Sequence, residues 1–225
     1  MIRPALSLIA SVMLIGCGSD SDNTPRPDIS TMDEISVRKI GIDLINITDQ
    51  SIDFYIKENN DNIELFDNGN KVATTLSDDT SYHGISWTSP SPMEINVGIS
   101  DTNSQTTQAE SDDIILNDKE KLWAIAWDDG DDITLSTNTE QPSPIEDKYR
   151  IRIFTISDTW VQIISSAIST MEVKAGKFSP HMTIENCSGE LYLSANSVDI
   201  CDLDIGKSYL LIIDGEDLLL AAEEK

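Results

Sequence analysis

Apolar and polar residues alternate along most of the chain. Ile40, Ile42 and Leu44 are spaced two apart, and residues 52–57 alternate apolar with more polar side chains. This period of two is typical of β-strands that bury one face, and similar runs occur at residues 85–87, 94–99, 113–116, 122–127 and 133–135. Residues 160–171 are ambiguous, but their β-branched content favours strand or a short irregular turn. No long helical pattern interrupts the runs, so the sequence predicts an all-β fold.

The strand-like runs recur in the same order in a second part of the chain. Residues 42–49 align with 151–158, and residues 52–55 align with 161–164. Further on, residues 93–97 align with 189–193, and residues 121–128 align with 207–214. The spacing between aligned segments only falls, so the differences are loop deletions, and residues 100–111 have no counterpart. The alignments predict a tandem duplication.

The boundary between the two copies is predicted at residues 141–147, a stretch with two prolines and no strand period. The domains are then residues 36–140 and residues 148–225, each with about seven short strands. Strand number and alternation predict two tandem immunoglobulin-like antiparallel β-sandwiches. Each copy is expected to bury a core of its own.

The first two strands of each copy also resemble a known family. Residues 42–55 and 150–157 are similar to the opening strands of the bacterial domain-of-unknown-function family 4397, over a region of about residues 36–222. Members of that family carry tandem immunoglobulin-like copies behind lipoprotein signals. The resemblance implies architecture and cellular location, and it implies no catalytic residues.

Residues 1–16 have the parts of a secretory signal peptide: a basic start at Arg3, an apolar run from Ala5 to Ile15, and a small residue at the cleavage site. The run is about half of the roughly 20 residues that a membrane span needs. Leu14-Ile15-Gly16-Cys17 resembles the lipobox of bacterial lipoproteins. That resemblance implies cleavage before Cys17, a diacylglyceryl group on its sulfur and an acylated N-terminus. An ordinary secreted protein with a chance cysteine is the alternative.

Residues 17–35 are predicted to be the lipidated cysteine and a flexible tether, because they are polar and carry prolines. Several acyl chains together give stable membrane anchoring. Gly18, rather than an aspartate, follows the cysteine. By resemblance to enterobacterial sorting rules, this implies the outer membrane, on its periplasmic or cell-surface face.

The formal net charge of the 225-residue chain is −25. This argues against nucleic acid and anionic lipid surfaces as partners. A solvated acidic surface is the simple interpretation, and divalent cation binding is the alternative. Beyond Cys17, the cysteines are Cys187 and Cys201, which are predicted to form a disulfide in an oxidising compartment. Two buried free thiols are the alternative.

The densest acidic cluster is Asp128-Asp129-Gly130-Asp131-Asp132. Its four carboxylates could bind Ca²⁺, the one cofactor considered, but the spacing is not that of an EF-hand. A β-hairpin turn alone, repeated at residues 214–217, is the favoured explanation of the cluster, and a weak calcium site is the alternative.

No sequence motif indicates an active site. The chain has no HExxH, no Cys/His cluster and no GxSxG, and no catalytic residue is predicted. Its two histidines, His83 and His181, are expected in equivalent turns of the two copies, with a paired metal or pH-sensing site as the alternative. Trp123 and Trp127 share one strand face with Ile125, which favours core packing over a sugar-binding surface.

Two functional hypotheses follow. The first is a lipid-anchored, non-catalytic envelope protein that acts as a structural module or binds a protein or glycan. The second is a polysaccharide-acting enzyme or its carbohydrate-binding subunit, with Trp87, Trp123, Trp127 and Trp160 as candidates for a sugar-binding surface.

Overall fold

Strands make up most of the part of the chain that the computed structural model describes, which is residues 36–59, 62–104, 108–130, 132–165 and 168–225. The all-β prediction is therefore confirmed. Within these residues no helix has the length and apolar character needed to cross a bilayer. The predicted signal peptide, lipobox and tether lie outside the described residues and stay predictions. Residues 36–225 form one compact unit.

Among the described residues, the first half contains eight strands in two four-stranded sheets. They are β1 (Arg38–Asn46), β2 (Ile52–Glu58), β3 (Lys71–Thr75), β4 (Asp79–Trp87), β5 (Met93–Asp101), β6 (Gln108–Leu116), β7 (Lys121–Asp129) and β8 (Asp132–Thr139). Sheet A has the order β4-β1-β7-β8, and sheet B has the order β3-β2-β5-β6. A short 3₁₀ turn at Asn68–Asn70 precedes β3.

The second half repeats this arrangement, with nine strands in the part of it that the structure describes. They are β9 (Tyr149–Thr155), β10 (Thr159–Ile164), β11 (Ile168–Val173), β12 (Lys177–Phe178), β13 (Met182–Ile184), β14 (Leu191–Leu193), β15 (Asn196–Val198), β16 (Ser208–Asp214) and β17 (Asp217–Glu224). Sheet C has the order β12-β9-β16-β17, with β13 also paired to β9, and sheet D has the order β11-β10-β14-β15. The matching strand orders support the duplication. The ambiguous residues 160–171 contribute β10 and the start of β11.

Most ladders are antiparallel, but one ladder in each half is parallel. Strand β1 pairs with β7, and β9 pairs with β16, in the same direction. These strands are far apart in the chain, so no tight hairpin turn forces them to be antiparallel.

The parallel ladders correct one sequence alignment by a residue. Ile42 lies opposite Leu122, and its counterpart Ile151 lies opposite Tyr209. Leu122 therefore corresponds to Tyr209, not to Ser208, and a shift of one residue exchanges the two faces of a strand. The sequence alignment was wrong here because β16 reaches its hairpin turn in fewer residues than β7 does.

Each half has its own apolar core between its two sheets. The core between sheets A and B includes Ile42, Leu44, Phe54, Ile95 and Leu116. The core between sheets C and D includes Ile151, Ile153, Val161, Leu193 and Leu211. Period-two alternation supplies both cores, as predicted.

A third buried cluster, here called the central cluster, joins the halves between sheets A and C. Its members are Ile45, Trp123, Ile125 and Trp127 from the first half and Phe154, Leu210 and Ile212 from the second. Strands β7 and β16 are thus buried on both faces, and the four sheets stack in the order B, A, C, D. The connecting residues 141–147 are exposed and contain no strand.

Candidate functional site

The outer face of sheet D carries an exposed group of side chains, here called the Trp160 face. Val161 and Ile163 of β10 point into the core, so the alternate residues of that strand point outward. Trp160 is 55% exposed and Ile168 is 68% exposed. The face consists of Trp160, Gln162, Ile164, Ile168, Thr170 and Tyr192.

Strand register places a polar row beside an aromatic pair. Gln162 lies between Thr170 of β11 and Tyr192 of β14, and Tyr192 in turn lies opposite Ser197 of β15. Trp160 and Tyr192 are diagonal neighbours across β10 and β14, with Cα atoms about 7–8 Å apart. The two side chains therefore lie on the same side of sheet D, next to amide and hydroxyl groups.

The equivalent face of the first half is covered by its own chain. Leu65 and Phe66, in the connection between β2 and β3, lie over the outer face of sheet B. The rings of Phe66 and Tyr55 are 5.4 Å apart, and Tyr55 is only 2% exposed. A Cβ atom at Gly98 would lie 2.8 Å from Phe66, so only glycine permits this close approach.

Loop length accounts for the difference between the halves. The connection between β2 and β3 spans residues 59–70, whereas the connection between β10 and β11 spans only residues 165–167. Tyr55 corresponds to Ile164, and Asp53, which is buried and paired with Lys71 at 2.8 Å, corresponds to Gln162. At this place in the second half, the described residues include no segment of that length that could cover the sheet.

The tryptophans divide by environment. Trp123 and Trp127 are buried in the central cluster, so the core-packing interpretation of their strand face is confirmed. Trp87 is half-buried, and its Nε1 donates to the carbonyl oxygen of Ser91 at 2.9 Å. Trp160 is the most exposed of the four tryptophans.

A buried ion network lies beside the central cluster. The Arg152 Nη1 atom donates to Oε1 of Glu224 at 3.1 Å and to the carbonyl oxygen of Thr139 at 3.2 Å. Its Nη2 atom donates to Oδ1 of Asn138 at 2.7 Å, and Nε2 of His181 lies 2.8 Å from Oε2 of Glu224. Because Asn138 and Thr139 belong to the first half, Arg152 ties the halves together.

This network does not present an activated nucleophile. Ser208 donates to Oε2 of Glu224 at 2.9 Å, and His181 contacts the same oxygen, so both bind the carboxylate rather than each other. Burial raises the pKa of Glu224, but hydrogen bonds from His181 and Ser208 and the charge of Arg152 hold it below its usual value. A serine nucleophile needs a base that takes its proton, and an ionised, salt-bridged carboxylate is a poor one. The arrangement is that of a structural ion network.

The corresponding place in the first half holds two acids. Asp43 occupies in β1 the position that Arg152 occupies in β9. Burial, and then the side chain of Asp43, raise the pKa of Glu140 to about 8. Oε1 of Glu140 is buried without a hydrogen-bond partner, while Oε2 accepts from the backbone nitrogen of Lys225 at 2.9 Å. A proton on Glu140 therefore relieves both the repulsion and the cost of burying its charge.

Glu140→Gln is expected to stabilise the protein at pH 8 by about 1–3 kcal/mol and to have little effect near pH 4. Between about pH 4.5 and pH 8 the unfolded chain releases a proton that the folded protein keeps on Glu140, so stability falls as pH rises through this window. Glutamine removes this titration. Urea unfolding at several pH values checks it, with Glu146→Gln in the exposed connection as the control; equal pH profiles for both variants would contradict the prediction.

The predicted cysteine pair is joined. Cys187 and Cys201 form a disulfide with an S–S distance of 1.99 Å, across a sequence separation of 14 residues. A loop of this length stabilises by roughly 3 kcal/mol in the chain-entropy picture. Cys187 also packs against the core of the second half. Cys17 lies outside the described residues.

The acidic run at Asp128–Asp132 forms a hairpin turn between β7 and β8. Asp129 pairs with Asp132, and Gly130 has a φ of +73°. Asp128 accepts a hydrogen bond from the backbone nitrogen of Asp49 at 3.3 Å, and Asp131 lies outside the described residues. In the described ranges, one group of three potential metal ligands converges, Cys187, Asp199 and Cys201, and its sulfurs are in the disulfide. Calcium binding at residues 128–132 stays a prediction.

The two histidines do not occupy equivalent turns. His83 lies within strand β4, opposite Ile42, and burial lowers its pKa. His181 directly precedes β13, in which Met182 lies opposite Ile151, the counterpart of Ile42. His83 therefore corresponds to Met182. The predicted equivalence was wrong because the second half divides the region of β4 into two short strands.

Comparison with known proteins assigns no relative: the chain matches no protein-family model and no curated protein. The sequence reasoning considered Trp160 but missed its neighbours Gln162 and Tyr192. The useful signal was the short connection between β10 and β11, which is too short to cover the strand that precedes it. The reasoning also missed the pair formed by Arg152 and Glu224, which lie far apart in the chain.

Proposed function

We propose that this protein is a lipid-anchored, non-catalytic binding module of the bacterial outer membrane. The observation that carries this proposal is the Trp160 face, in which Trp160 and Ile168 are exposed, whereas the same sheet face in the first half is covered by Leu65 and Phe66. An exposed aromatic surface on a rigid sheet is typical of interaction sites. The resemblance to family 4397 accords with this class of envelope protein.

The architecture supports a display role. Sheet D is the last layer of a four-sheet stack, and its outer face points away from the central cluster. Residues 17–35 would serve as the tether between the lipid on Cys17 and the folded unit. No cofactor is proposed for this function, and a calcium ion at Asp128–Asp132 is not required by it.

A second candidate is the carbohydrate-binding subunit of a polysaccharide-acting enzyme. The exposure of Trp160, with the half-buried Tyr192 beside it, favours this candidate, because the tryptophan ring is open to a ligand. It differs from the first proposal in requiring an enzyme partner. Copurification of a hydrolase with the membrane-anchored chain would distinguish the two.

Cys17→Ala is expected to abolish lipid anchoring. The altered chain has no thiol to accept the diacylglyceryl group, so a precursor or a soluble form should accumulate. Detergent phase partitioning and mass measurement of the N-terminus check this, with Gly18→Ala as a control that keeps the lipidated cysteine. Mature Cys17→Ala protein in the detergent phase would show that the lipobox interpretation is wrong.

A further inference from the structure

We infer that the Trp160 face binds a neutral glycan. This inference rests on the proposed binding function and adds the chemical class of its ligand. It concerns the outer surface of sheet D and depends on neither the disulfide nor the buried ion network.

The Trp160 face carries a pair of aromatic rings. A pyranose ring has an apolar face of C–H groups and a rim of hydroxyls, so it packs its face on a flat aromatic ring. Trp160 and Tyr192 are diagonal neighbours on the same face of sheet D, so they supply two aromatic rings side by side. Both are rigid side chains that lose little conformational entropy when a ligand binds.

A row of polar side chains lies between and beside the two rings. Gln162, Thr170 and Ser197 lie in one cross-strand line with Tyr192. The Nε2 atom of Gln162 is 3.5 Å from Oγ1 of Thr170, at the outer limit of a hydrogen bond. Exchanging this weak contact for bonds to sugar hydroxyls therefore costs little. Neutral amide and hydroxyl groups beside aromatic rings match a ligand that is polar but uncharged.

The charge on and around the Trp160 face favours an uncharged ligand. The six members of the Trp160 face are uncharged, and two acids border them: Glu172 lies opposite Trp160, and Glu190 is bonded to Ile164. The chain as a whole carries a net charge of −25. An anionic polymer is repelled by this field, and a second copy of the chain brings the same negative charge. A neutral ligand meets no such penalty.

The outer face of sheet D differs from the covered outer face of sheet B. In the first half a peptide segment reaches the sheet because Gly98, opposite Tyr55, leaves room for Phe66. In the second half, Ile164 bonds to the backbone of Glu190 at the matching position, so a residue with a side chain replaces the glycine. A ring therefore cannot approach the sheet D backbone there as Phe66 approaches Gly98. The exposed ring of Trp160 suits a ligand that stacks on top of it.

The test is calorimetric titration of the purified full-length chain, in detergent, with three neutral probes: cellohexaose, laminarihexaose and mannohexaose. At least one probe should bind, and Trp160→Ala should weaken binding about tenfold or more, as loss of a central aromatic contact does. Tyr192→Ala should weaken the same probe. The matched control is Tyr82→Ala, which removes an exposed aromatic side chain from the first half and should leave affinity unchanged.

Three results would overturn the inference: no binding of any probe at millimolar concentration, equal binding by the unaltered chain and Trp160→Ala, or a Trp160-dependent dimer in sedimentation. Circular dichroism of each variant separates loss of the site from loss of the fold. Failure here leaves the lipid-anchored module intact, because detergent partitioning of Cys17→Ala tests that proposal independently.

Discussion

Arg152→Ala is expected to lower the free energy of unfolding by about 3–5 kcal/mol, because it leaves Glu224 buried with its main counter-charge removed. The guanidinium also bonds Asn138 and Thr139 of the first half and lies 5.3 Å above the ring of Phe178. The loss should therefore destabilise the contact between the halves as well as sheet C. Urea unfolding followed by tryptophan fluorescence measures it, since Trp123 and Trp127 lie in the central cluster.

The matched control is Arg150→Ala, two residues away on the same strand. Arg150 donates to the hydroxyl of Thr183 rather than to a buried carboxylate, so its loss should cost about 1 kcal/mol. A second variant replaces both Arg152 and Glu224 with methionine, which removes both buried charges together. It should recover much of the stability that Arg152→Ala loses. If Arg152→Ala costs no more than Arg150→Ala, the network does not hold the halves together.

Cutting the connection between Gln141 and Pro144 is expected to leave the two pieces bound to each other. The sequence alone predicts two domains that each bury a core, and by that reasoning the pieces would part. The structure adds the central cluster, in which Trp127 packs edge-on against Phe154 with ring centroids 6.2 Å apart. Exposing these side chains to water costs about 1.5–3 kcal/mol for each large one. Separation of the pieces is therefore strongly unfavourable.

The all-β fold and the duplication could be predicted from the sequence because they depend on local signals. Ile52, Phe54 and Ile56 show the period of two, and the turn at Asp129–Asp132 carries the glycine that a hairpin needs. The sequence also contains a pattern that indicates the contact between the halves. The runs LWAIAW in β7 and YLLII in β16 are apolar at consecutive positions, which is typical of strands buried on both faces.

The candidate site could be predicted only in part. Trp160 can be named as a candidate from the sequence. Its exposure, however, depends on the short connection that follows β10, which contains no segment like Leu65-Phe66. The position of Tyr192 beside Trp160 depends on the register of β10 with β14, which no local pattern specifies. In the sequence, Arg152 and Glu224 look like ordinary charged residues of strands, because only the folded chain shows that both are buried.

Calorimetry of the cut chain tests the central claim, that the two repeats fold as one unit and leave one outer sheet free. A protease site placed between Gln141 and Pro144 allows the same protein to be measured uncut, as the control, and cut. We predict one unfolding transition in both forms, with a midpoint that rises with concentration after cutting because the pieces then associate as two molecules. Two separate transitions at concentration-independent temperatures would show that the halves are independent domains and would contradict the account.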